Sequence, residues 1–72
     1  MHVGKTIKGL RTSKNLSQGE LAQALNVEQS RISDIERRET LNMKSFFRVA
    51  EALGVSPSEL MAQVERDASC AA

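Results

Sequence analysis

Residues 16–37 read LSQGELAQALNVEQSRISDIER, and two helices meeting at an abrupt corner account for the spacing of their apolar positions. Ser17-Gln18-Gly19-Glu20 is a capping box: the Ser17 hydroxyl accepts from the Glu20 amide, and the Glu20 carboxylate reaches back. A helix then runs to about Leu25 with Leu21, Ala22 and Leu25 on one face. Asn26 suits a positive φ, and only Val27 separates it from a second helical pattern, about Glu28 to Arg37, that carries Ile32 and Ile35 inward. Ala22 sits where the two helices must cross closely, and Val27 plugs the corner.

Working outward, Val3, Ile7, Leu10 and Lys14 recur at helical spacing and predict a first helix over 3–14, ended by Asn15 as a left-handed residue before Leu16 re-enters the core. Residues 38–42 read as a loop. Asn42 caps a fourth helix whose stripe is Met43, Phe46, Ala50 and Leu53, flanked by Phe47 and Val49, and Gly54 ends it. Ser56-Pro57-Ser58-Glu59 starts a fifth helix, with Pro at the first helical position. That helix presents Leu60, Met61 and Val64 and fades into residues 67–72, read as a disordered tail. No stretch alternates as a half-buried strand does, and there is no internal repeat or linker. The fold class expected is all-α: one five-helix bundle.

The chain has 72 residues, 40% of them hydrophobic and 26% charged. A domain this small hides only about 60% of its unfolded surface. Without Trp or Tyr, and with two Phe, the core must be aliphatic. A single Cys excludes a disulfide framework and a multi-cysteine zinc site, and one His removes most metal and triad chemistry. No apolar run is long enough for a membrane span or a signal-peptide core. A reduced, intracellular, soluble domain is expected. Charge is uneven: residues 1–38 carry +3 and residues 39–72 carry −2, so a polyanion could meet the first half.

The corner has the packing logic of a helix-turn-helix, whose second helix can project into a DNA major groove; an ordinary αα-corner uses the same packing without DNA. On the outward edge of the third helix lie Ser30, Ser33, Asp34 and Arg37, with Gln29 and Arg31 at the flanks. Gln29 can pair bidentately with adenine, the two serines permit close approach, and Arg31 and Arg37 reach guanine or phosphate. The bland alternative is a solvated face of short polar residues, and Asp34 argues against phosphate nearby. Candidate phosphate contacts are Lys14, Ser17 and Gln18 at the start of the second helix and Asn42 and Lys44 at the start of the fourth, where helix amides favour anions. Arg11 and Glu36 both fall on apolar stripes, and buried charges are usually paired, so an Arg11–Glu36 ion pair is expected; the alternative puts Arg11 on a phosphate. His2 reads as a disordered end residue, Cys70 as a thiol without a partner, and the methionines as core fillers. No catalytic constellation or phosphate-cradling glycine loop is present.

Residues 7–60 resemble the phage-repressor-like (Xre/Cro-type) helix-turn-helix family. The matching elements are LR at 10–11, LSQGELA at 16–22, LNV at 25–27, the IS..E pattern at 32–36 and AEALGVSPSEL at 50–60. The resemblance implies a five-helix, lambda-repressor-like domain over residues 1–66 that binds DNA sequence-specifically. It places Gln18, Gln29, Ser30, Arg31 and Ser33 at the DNA, and pairs the residue matching Arg11 with the one matching Glu36. Departures are Asn26 for a frequent Gly, Glu28 where Ser, Thr or Asp usually caps the third helix, and Arg37-Arg38 for the usual turn after Glu36. Gly19 within a helix costs up to ~1 kcal/mol against Ala. The implied partners are double-stranded DNA and a second copy of the chain, with RNA polymerase or a toxin as further candidates. No membrane, cofactor, metal or small-molecule ligand is expected. The dimer surface is placed on Phe47, Leu60, Met61 and Val64, and the site of action at the nucleoid in bacterial cytoplasm. A protein-interaction adaptor or antitoxin-type module on the same fold is the alternative function.

Overall fold

The structure is a computed structural model and describes residues 2–70. Five helices follow one another: α1 (Val3–Ser13), α2 (Gln18–Leu25), α3 (Gln29–Arg37), α4 (Met43–Leu53) and α5 (Pro57–Cys70). Local chemistry sets nearly every boundary. At the start of α2, Ser17 Oγ accepts from Glu20 N at 3.0 Å and Glu20 Oε1 accepts from Ser17 N at 2.9 Å, closing the expected capping box. Asn42 Oδ1 accepts from Ser45 N at 2.8 Å to begin α4, and Ser56 Oγ accepts from Glu59 N at 3.1 Å before Pro57 opens α5.

Three helices stop in the same way. A residue in the left-handed region follows the last turn (Asn15 and Asn26 at φ 58°, Gly54 at φ 76°). The next amide then bonds back across the turn: Leu16 N to Arg11 O at 3.0 Å, Val27 N to Ala22 O at 2.9 Å, Val55 N to Ala50 O at 3.0 Å. Each of these apolar residues packs against the core, which is the hydrophobic contact that accompanies such endings. The pairs Asn15-Leu16, Asn26-Val27 and Gly54-Val55 thus fold the chain back three times.

The core draws on all five helices. Ile7, Leu21, Ile32, Val49, Leu60 and Val64 are fully buried, each contributing about 1.5–3 kcal/mol relative to exposure. Ala22 is buried, and α2 packs against α3.

Several sequence expectations need correction. His2 is an ordered cap: its Nδ1 accepts from Lys5 N at 3.1 Å. The fifth helix does not fade at Asp67 but continues to Cys70. Asp67 Oδ2 accepts from the buried Thr6 hydroxyl at 2.7 Å and Oδ1 from Gln63 Nε2 at 2.9 Å, holding this turn against α1. The rest of the tail, Ala71 and Ala72, lies outside the described residues. Met43, 71% exposed, is no core filler, because the first turn of α4 carries it beyond the edge of the buried stripe; Met61 is also exposed, at 41%. Among the described residues no helix is long and apolar enough to cross a membrane.

Candidate nucleic-acid interface

The geometry of α3 follows from what its inner face must satisfy. Ile32 and Ile35 enter the core, and Glu36 goes with them. A carboxylate so placed requires compensation, and Arg11 supplies it: Arg11 Nε donates to Glu36 Oε2 at 2.6 Å and a second guanidinium nitrogen approaches Oε1 at 3.4 Å. Arg11 also donates to Leu16 O at 2.7 Å. Gln18 Nε2 completes the set with a 2.9 Å bond to Glu36 Oε1. One buried cluster therefore joins α1, the α1–α2 turn, the start of α2 and the end of α3.

Backbone contacts reinforce the same end. The first amides of α1 have no partner within their own helix; Val3 N donates to Glu39 O and Gly4 N to Arg38 O, both at 2.9 Å. The approach is so close that a Cβ at position 4 would lie 2.6 Å from Arg38 O and from the Glu36 carbonyl carbon. Glycine is required there for space.

The outer edge of α3 carries no such ties. Gln29, Ser30, Arg31 and Arg37 are exposed, and Ser33 and Asp34 are half-buried. Asp34 does not confront the solvent as a lone negative charge. Arg38 donates to its Oδ2 from Nε at 3.1 Å and from the guanidinium end at 2.9 Å, and Arg37 lies 4.0 Å from its other oxygen. At the opposite end Glu28 precedes α3 in extended conformation and makes no side-chain cap.

The candidate phosphate contacts fall into three groups. Lys14 and Lys44 are exposed. Ser17 and Asn42 serve as caps through their side-chain oxygens, which leaves the Ser17 hydroxyl proton and the Asn42 amide donors outside those bonds. Gln18 turns its carboxamide inward to Glu36. Of the dimer candidates, Leu60 and Val64 are fully buried core residues and cannot meet a second chain, whereas Phe47 is 49% exposed and Met61 41%. With Met43 and Leu41 they line an apolar groove of about 620 Å³ between α4 and α5.

Three features escape a reading of the sequence. Gly4 stands in a predicted helix with no cue beyond being a helix-weakening residue. Arg48 donates to Leu25 O at 2.9 Å, satisfying a terminal carbonyl of α2 from α4, and nothing local marks it. Gly19 lies beside the Gln29 side chain, with Gln29 Oε1 3.6 Å from where its Cβ would be.

Comparison with known proteins gives a consistent result. The family profile described as Helix-turn-helix matches residues 7–60. An immunity repressor protein of Bacillus phage phi105 is 36% identical over 64 residues, which cover 88% of this chain but 44% of that repressor; the chain thus spans less than half of that relative's length. Among solved structures, the wild-type restriction-modification controller protein C.Esp1396I superposes with a TM-score of 0.79 at 31% identity, over 89% of this chain and 83% of that one. The controller protein C.AhdI from Aeromonas hydrophila gives 0.71 at 32% identity, over 81% and 89%. The clp gene regulator ClgR from C. glutamicum gives 0.81 at 26% identity, over 90% and 86%.

Proposed function

The chain belongs to the phage-repressor-like helix-turn-helix family, and on that premise we propose that it is a DNA-binding transcription regulator that lays α3 in the major groove of a palindromic operator. The observation that carries this reading is the free polar edge of α3, Gln29, Ser30 and Ser33, on a helix whose inner face is fixed. A helix fits the major groove, about 12 Å wide, and enters most closely where its outer side chains are short. Gln29 bonds adenine N6 and N7, and Arg31 and Arg37 take guanine or phosphate oxygens. Lys14, Lys44, the Ser17 hydroxyl and the Asn42 amide hold the flanking phosphates, and position 18 contributes through its helix-start amide because its side chain is held by Glu36. The pairing of Asp34 with Arg38 offsets the repulsion a carboxylate would meet there.

One copy offers too few contacts for a specific site, and symmetry doubles them. Two copies associate through the α4–α5 groove, using Phe47 and Met61 with Met43 in place of the buried Leu60 and Val64. Their recognition helices then meet half-sites ~34 Å apart. Action at the bacterial nucleoid follows from this reading.

Selection of bound duplexes from a random-sequence library tests it. A two-fold-symmetric motif is the expected product; duplexes recovered without any shared sequence would contradict it. The dimer surface is tested separately by sedimentation: Phe47→Glu places a charge in the apolar contact and should leave a folded monomer where the parent chain dimerises.

A further inference from the structure

We infer that Gly19, on α2, is a positioning residue for base recognition by Gln29, on α3. This rests on the proposed reading of α3 and adds to it a determinant outside that helix. An exposed glutamine at the start of a helix has several free torsions, and ordering them on binding costs entropy. Gln29 Oε1 lies 3.6 Å from the position a Cβ on Gly19 would take, and Ser17 Oγ lies 3.7 Å from that same point.

Position 19 has no side chain, and the neighbouring glutamine is turned away. Gln18 Nε2 is bonded to Glu36 Oε1 at 2.9 Å, so the surface over α2's first turn is left to Gln29. Helical side chains lean toward the N-terminus of their own helix. A long side chain at position 19 would lean toward Ser17 from a Cβ already in contact with the Gln29 amide. A methyl group fits at ordinary contact distance. A β-branched side chain has two γ atoms and little χ1 freedom with which to avoid the amide. Gly19 thus weakens α2 slightly and in return leaves open the space beside the Gln29 amide.

The test is the base preference of Gly19→Ala, Gly19→Val, Gln29→Ala and the Gly19→Val/Gln29→Ala double variant, each read by selection from random duplexes, with circular dichroism confirming helix content. Gly19→Ala should keep the parent motif. Gly19→Val should lose about five-fold or more in preference at the one position per half-site that Gln29→Ala also relaxes, since a bidentate contact carries discrimination of that order. In the Gln29→Ala background it should change nothing further. An unaltered motif for Gly19→Val, or an equal loss for every sequence with and without Gln29, overturns the inference while leaving the proposed function intact. A parent chain that selects no motif overturns both.

Discussion

At its C-terminal end α3 is held by the Arg11–Glu36–Gln18 cluster and by two backbone bonds from α1, whereas at its N-terminal end Glu28 caps nothing and Gln29 and Ser30 are exposed. The two ends serve different needs. An element that reads DNA must keep a fixed angle to the body, which the anchored end supplies through contacts that cannot shift independently. It must also offer side chains whose hydrogen-bonding groups are uncommitted, and these belong at the N-terminal end, where recognition helices of this kind approach base edges. Saturation at one end and vacancy at the other is the division expected of a reading helix, and a purely structural αα-corner has no need of it.

The contrast can be broken most strongly at Arg11. Arg11→Ala leaves Glu36 buried without its cation and should cost about 3–5 kcal/mol in denaturant melts, enough to unfold much of a chain this small. A folded, stable variant that merely binds DNA less well would mean that Arg11 serves a phosphate instead. Gly4→Ala comes next. Alanine is the better helix former, yet here its methyl group must displace the carbonyls of Glu36 and Arg38, and a loss of about 1–3 kcal/mol is expected; a stabilised variant would show that the clasp between α1 and the end of α3 yields easily. At the free end the balance reverses. Gln29→Ala should leave the melt within about 0.5 kcal/mol of the parent but cost about 1–3 kcal/mol in specific binding, read as relaxed preference at one base per half-site. The smallest change sharpens the same contrast: Glu28→Ser supplies the missing cap of α3 and should add about 0.5–1 kcal/mol of stability, with base preference unchanged.

Much of the fold was legible because its punctuation is local. Asn15-Leu16, Asn26-Val27, Gly54-Val55, the Ser17–Glu20 box and Ser56-Pro57 act over six residues or fewer, so each can be read without knowing what lies across the core. Arg11 and Glu36 were legible for another reason: a charge on an apolar stripe demands a partner, and two such charges on neighbouring helices suggest each other. What stayed hidden depends on where helices cross. Leu60, Met61 and Val64 are all apolar, and only the crossing angle of α5 decides that the first and last enter the core while Met61 faces out. Gly4 matters through a backbone over thirty residues distant in sequence. Gln18, long enough to reach outward or inward, turned to Glu36 for a hydrogen bond that no spacing rule reveals. His2 caps α1 because its ring nitrogen meets Lys5 N, a contact that its place at the chain end does not announce.

On the proposed reading, the outer edge of α3 is the surface that meets DNA. Amide chemical-shift mapping of the uniformly labelled chain, titrated with the duplex it selects, tests this directly. The expected footprint covers Gln29, Ser30 and Ser33 and the first turns of α2 and α4. A bound duplex that leaves the α3 amides unmoved and instead perturbs the outer face of α5 would contradict it.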